Sequence, residues 1–199
     1  MLAKIDITFL QDWSLLITKY QKFDQMLSTK PVGEKYIEGY LSPRFDFGNQ
    51  GSLILFNHIV SGNDTAGAIC GCLVETELPW VGKLKNNLAE LNLVSIAFQR
   101  SVGSLAPHVD GQEYTDTAFH CALNYIIDDF DACTYVQDGD NILSYPSKKN
   151  TAWLLDTTKL HWVDGSGSAP RYVFQLRFHQ KHSEVLDWFN CHPGLIYSF

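Results

Sequence analysis

Between residues 93 and 179 the sequence falls into eight short β-like runs, at 93–100, 106–110, 117–127, 132–137, 142–145, 151–156, 160–163 and 171–179. Each is rich in branched, aromatic or alternating apolar residues, and turn-forming Gly, Asp, Asn, Pro or Ser punctuate the chain between them. Runs this short and this closely spaced leave no room for a helix after every strand. The pattern therefore predicts a mainly β domain, a sandwich or jelly roll, in place of alternating α/β units.

The 92 residues before that block read differently. Leu10, Trp13, Ile17 and Tyr20 recur at helical spacing and predict an amphipathic helix over 7–23. Residues 29–51 are loop-rich. Apolar runs at 52–60 and 68–74, separated by the turn chemistry of 61–67, predict a hairpin, and Leu84, Leu88 and Leu91 place a short helix over 82–92. A last short helix is expected over 182–190. At 199 residues the chain is long enough to bury its own core, so the expectation is one domain over 1–199. Within it, 1–92 supplies N-terminal helices and extra strands, 93–179 the β core, and 180–199 a tail.

The net charge of −7 argues against a nucleic-acid or anionic-membrane partner, which would need a basic face. No apolar run approaches the ~18 residues of a spanning helix. The opening Met-Leu-Ala-Lys-Ile-Asp has an acidic residue where a secretory leader needs an apolar segment. Five scattered cysteines, Cys70, Cys72, Cys121, Cys133 and Cys191, read as reduced thiols, so a cytoplasmic location is expected.

Chemistry is suggested by Leu105-Ala-Pro-His-Val-Asp-Gly111. On an extended backbone, His108 and Asp110 share a face and can reach one metal ion. His161 follows 53 positions after His108 and offers a third ligand. Two imidazoles and one carboxylate make a facial triad, which leaves three positions of an octahedral ion open, as in non-haem Fe(II) oxygenases. In the last run, Tyr172, Phe174, Leu176 and Phe178 form an apolar face, while Arg171, Val173, Gln175 and Arg177 form the opposite one. Alternation likewise puts Ala118, His120, Ala122, Asn124 and Ile126 on one face, the alanines leaving room for a ligand or for tight sheet packing.

An H-x-D, a His about 50 residues on, and Arg171 ten positions after that His, spread over eight short strands, resemble the Fe(II)/2-oxoglutarate-dependent dioxygenase superfamily across roughly residues 93–179. The resemblance implies a double-stranded β-helix (jelly roll) with the N-terminal helices packed on one sheet. It also implies Fe(II) held by His108, Asp110 and His161, with 2-oxoglutarate as cosubstrate. Arg171 would hold the distal carboxylate in a bidentate grip that suits a guanidinium, with Arg177 as a rival on the same face. The run from Thr117 to Asn124 is similar to the aspartyl/asparaginyl β-hydroxylase-like branch, which would give His120 a contact to the other carboxylate. Ala118 stands where that branch carries an Arg, so Gln99 or Asn124 is a candidate substitute. Leu105 stands where the prolyl-hydroxylase branch often carries a Tyr. Asp156 is a candidate to orient an imidazole from outside the ligand set.

The activity implied is hydroxylation of a small-molecule, amino-acid or peptide substrate with release of succinate and CO2. The alternative is a non-catalytic, cupin-like jelly roll that binds metal without turnover. A hydrolytic zinc enzyme ranks last, because no separate general base is evident.

Overall fold

The computed structural model describes residues 1–15, 17–18, 53–59, 79–101, 103–110, 119–166, 169 and 171–198. In chain order these contain β1 (Leu2–Ile5), β2 (Ile7–Leu10), β3 (Leu53–Ile59), α1 (Pro79–Asn87), a 3-10 turn at Ala89–Leu91, β4 (Leu93–Ser101), β5 (Leu105–His108), β6 (Cys121–Ile126), β7 (Ala132–Asp138), β8 (Asn141–Pro146), β9 (Thr151–Asp156), β10 (His161–Gly165), β11 (Arg171–Phe178), α2 (His182–Cys191) and β12 (Leu195–Ser198). No described helix is long and apolar enough to cross a membrane.

From β4 onward the chain winds back and forth between two facing antiparallel sheets. Strands β4, β6, β9 and β11 join the larger sheet, ordered β1-β9-β6-β11-β4-β3, and β5, β7, β8 and β10 form the smaller one, ordered β5-β10-β7-β8. Eight strands alternating in this way make the expected double-stranded β-helix, mainly β with antiparallel pairing throughout the core. The larger sheet is extended at its edges by β1 and β3, while β2 pairs in parallel with β12.

Strand β11 shows why the sheet has one apolar layer outside it and a polar interior. Tyr172, Phe174, Leu176 and Phe178 are buried against Trp80, Val81 and Leu84 of α1, Val185 and Phe189 of α2, and Phe9 and Trp13 near the N-terminus. That cluster is the main hydrophobic core and lies between the larger sheet and the helices. On the opposite face, Arg171, Gln175 and Arg177 point between the two sheets, beside a small apolar group of Ile126, Tyr145 and Val173. Helix α1 opens on Pro79, whose fixed φ and missing N–H suit a first helical turn.

Three sequence expectations shift. Residues 7–10 form β2, and helical backbone starts only at residue 13, because parallel pairing with the terminal strand 195–198 outweighs local periodicity. The expected strand over 117–127 is observed from Cys121, which puts His120 just before it. The helix over 82–92 is α1 displaced toward the N-terminus, followed by the 3-10 turn. The run at 52–60 is strand β3, whereas its expected hairpin partner at 68–74 lies outside the described residues.

His182, at the start of α2, is buried and lies 3.3 Å from the Leu154 carbonyl through Nε2. Burial is the main cause that lowers its pKa below the ordinary 6.5, against the opposing effect of that carbonyl. Below 6.5 the unfolded chain therefore binds a proton that the native state resists, and stability falls with acidification. The urea midpoint of wild type is expected to fall more steeply than that of His182→Gln as pH drops through 6.5. Parallel profiles would contradict the buried neutral imidazole.

Candidate metal centre

The two imidazoles are brought together by strand pairing. His161, first in β10, lies directly opposite His108, last in β5, and their ring centroids are 4.3 Å apart. Asp110 is not on the strand as the sequence spacing suggested. It sits in a bend just after β5, fixed by its backbone N–H donating to the Thr157 carbonyl at 3.1 Å. The bend turns the carboxylate back between the imidazoles. Asp110 Oδ1 is 3.4 Å from His108 Nε2, and Oδ2 is 3.5 Å from His161 Nε2.

Backbone carbonyls settle the tautomers. His108 Nδ1 lies 2.8 Å from the Ala106 carbonyl and His161 Nδ1 lies 2.9 Å from the Lys159 carbonyl. A carbonyl oxygen only accepts, so each Nδ1 carries a proton and each Nε2 is the nitrogen turned to the centre, where it donates to the Asp110 carboxylate as imidazolium and offers a lone pair to a metal when neutral. This is the outer support that metal-binding imidazoles need. Asp156 does not provide it: its carboxylate accepts from Thr158 and faces the N-terminal ammonium at 3.8 Å.

The ligand atoms of His108, Asp110 and His161 lie within 4.8 Å of one another. Cis ligands on an octahedral ion with bonds near 2.1 Å stand about 3 Å apart, so small side-chain movements close the triad on a metal. Burial opposes ionisation of Asp110, but hydrogen bonds from both imidazoles and the charges of His161 and Arg177 outweigh it and hold the carboxyl well below the usual range. Burial likewise works against protonation of His108, yet its contacts to Asp110 and Ala106 raise its pKa on balance. The donor set is a preformed anionic site with two neutral-capable imidazoles, which fits a divalent cation.

Deeper between the sheets, Arg171 begins β11. Its Nε donates to Ser101 Oγ at 3.3 Å and its Nη1 to Thr134 Oγ1 at 3.4 Å. Thr134 pairs with Val163, two residues along β10 from His161, so this guanidinium lies one step below the triad in the barrel. Among the described residues it has no carboxylate partner. Burial depresses its pKa, with Tyr145 nearby opposing that effect, and a guanidinium stays cationic all the same.

Gln99 and Asn124 also face this interior, linked through Gln175. Gln99 Nε2 and Arg177 Nε both donate to Gln175 Oε1, at 2.8 and 2.6 Å, while Gln175 Nε2 donates to Asn124 Oδ1 at 2.8 Å. Asn124 Nδ2 then donates to the Tyr145 hydroxyl at 3.0 Å. His120 is exposed just outside β6, its backbone bonded to Phe178 and Thr157. Thus His108, Asp110 and His161 converge, Arg171, Gln99 and Asn124 line the barrel behind them, and His120 stands at its rim. Residue 118 lies outside the described residues.

Sequence reasoning missed Ser101, Thr134 and Tyr145 around Arg171. Their signal was available only through the inner-face alternation of β4, β7 and β8, since single hydroxyl-bearing residues on short strands carry no motif.

No protein-family model and no curated protein matches the chain. Among solved structures it is similar to a Pseudomonas putida prolyl-4-hydroxylase, with 10% identity, a TM-score of 0.47, and coverage of 90% of this chain and 92% of that one. It is also similar to a Burkholderia pseudomallei oxidoreductase of the 2OG-Fe(II) oxygenase family, with 10% identity, a TM-score of 0.48, and coverage of 82% and 80%. A Trichoplax adhaerens prolyl hydroxylase in complex with a hypoxia inducible factor peptide aligns at 11% identity and a TM-score of 0.43, over 92% and 86% of the two chains. At such identities and TM-scores these likenesses stop short of placing the chain in a family.

Proposed function

We propose that the protein is an Fe(II)- and 2-oxoglutarate-dependent oxygenase that hydroxylates a small-molecule, amino-acid or peptide substrate. The observation that carries this reading is the pairing, inside one barrel, of an open two-histidine, one-carboxylate triad with a deep guanidinium whose hydrogen bonds, among the described residues, go to hydroxyls. His108 Nε2, Asp110 and His161 Nε2 would hold the metal on one face and leave the other positions for exchangeable ligands. When bound, the iron supplies activation of O2, with the balance R–H + O2 + 2-oxoglutarate giving R–OH + succinate + CO2.

The chain's own residues supply binding and orientation. Arg171, with Ser101 and Thr134 beside it, would hold the distal carboxylate of the cosubstrate through a charge-assisted contact. Ala106 and Lys159 keep the two imidazoles in the ligand tautomer. Gln99, Gln175 and Asn124 form one bonded chain that braces the polar wall between Arg171 and the triad. His120 is the remaining candidate for a contact at the rim.

The test is calorimetric titration of Mn(II), then 2-oxoglutarate, into wild type and Arg171→Ala without oxygen. Losing a charge-assisted bidentate contact predicts a 2-oxoglutarate affinity at least about 10- to 100-fold weaker, with Mn(II) affinity unchanged. Metal binding with no 2-oxoglutarate affinity in wild type would instead support the non-catalytic jelly-roll module.

A further inference from the structure

The interior carries a second guanidinium that the cosubstrate reading does not use. Arg177 lies on the same face of β11 as Arg171 but six residues further on, at the end of the barrel that holds Asp110. It pairs in register with Ala122 on β6 and with Ser95 on β4, one strand to either side. The Phe119 ring lies under it, with the guanidinium carbon 4.8 Å from the ring centroid. Among the described residues its only hydrogen bond is from Nε to Gln175, and no carboxylate comes within ion-pair distance. Ser95 Oγ, on the same inner face, is buried and has no hydrogen-bond partner among the described residues. A cation and an orphaned hydroxyl therefore flank a wall whose other members, Ala97 and Ala122, are small.

Charge counting shows what is missing. A divalent metal, Arg171 and Arg177 bring four positive charges, and Asp110 takes away one. Bound 2-oxoglutarate removes two more, and among the described residues of this buried interior one positive charge is left. Uncompensated charge in such a place is costly, and a ligand of opposite sign relieves it. Asp110 cannot serve, because its charge is then engaged by the metal.

We propose that Arg177, with Ser95, recognises an anionic group, a carboxylate in chemical class, on the primary substrate and so sets its position beside the metal. This rests on the oxygenase reading above and narrows its substrate class to acids. The guanidinium rests over the Phe119 ring, and with Nε bonded to Gln175 its Nη groups are the donors left for that anion.

The experiment uses Mn(II)-loaded protein saturated with 2-oxoglutarate, without oxygen, and carbon-13-labelled acetate as the probe. Paramagnetic broadening of the acetate signal reports an anion held near the metal. Wild type is expected to show saturable broadening, Arg177→Gln a loss of at least about 10-fold in acetate affinity, and Arg177→Lys partial retention. The 2-oxoglutarate affinity should stay within about 3-fold in both variants. Acetate binding that survives in Arg177→Gln, or absence of saturable broadening in wild type, overturns the proposal. So does a 10-fold loss of 2-oxoglutarate affinity, which would assign Arg177 to the cosubstrate's own carboxylate. Should Arg177→Gln fail to fold, equal acetate affinity in the Ser95→Ala variant and wild type overturns the shared anion site. A wild type that never binds 2-oxoglutarate is a separate result and sinks the oxygenase reading itself.

Discussion

Replacing Asp110 with alanine is expected to abolish divalent-metal binding, a larger effect than the ~10- to 100-fold loss typical of removing a group outside the ligand set. Asp110 is the only anionic ligand of the triad, and its two oxygens are divided between the imidazoles at 3.4 and 3.5 Å. Without it, two Nε2 lone pairs remain on rings 4.3 Å apart, with Arg177 contributing an unopposed positive field. Two neutral imidazoles in a positive field are a poor site for a dication. The measurement is thermal unfolding with and without excess Mn(II). Wild type should gain stability by mass action on the native state, and Asp110→Ala should gain none. An equal shift in both proteins would remove Asp110, and with it the triad, from the metal site.

How much of this could be read beforehand differs between backbone and side chains. The eight-strand core was legible because its strands are short, apolar on at least one face and bounded by turn residues, so local signals and global architecture agree. The N-terminal strands 2–5 and 7–10 were not. Their partners are at 152–155 and 195–198, and edge pairing across such sequence distances leaves no periodic mark. His108, Asp110 and His161 are legible from their spacing, but strand alternation alone does not aim the first two at one ion. The chain leaves the strand after His108, and it is a bend anchored to Thr157 that aims Asp110. Arg171 and Arg177 shared a face by simple alternation, but nothing in the sequence showed that one is met by Ser101 and Thr134 and the other by Gln175 and Phe119. Such contacts depend on the register between strands from opposite sheets, which is a property of the assembled fold.

The other large expected effect concerns the layer outside the barrel. Phe174 is fully buried at the middle of β11, between β4 and β6. Its ring centroid is 5.3 Å from those of Phe9 and Trp13 and 5.6 Å from that of Trp80, so one side chain joins the larger sheet to the N-terminal segment and to α1. Phe174→Ala would leave a cavity walled by rigid rings that cannot collapse into it, and the expected cost is about 3–5 kcal/mol. Against a total of about 5–15 kcal/mol for a natural domain, that is a large fraction, and about 2–4 °C per kcal/mol gives a fall in melting temperature near 10 °C. Ile142→Ala is the matched control. That side chain is 62% exposed on β8, and its truncation should stay within about 0.5 kcal/mol. Urea unfolding of both variants decides the matter. Because Arg171 and Arg177 stand on the reverse face of the strand that Phe174 anchors, the same truncation should also weaken 2-oxoglutarate binding, an effect Ile142→Ala should lack. Similar losses for the two variants would mean that the main core does not lie where the buried rings place it, between the larger sheet and the helices.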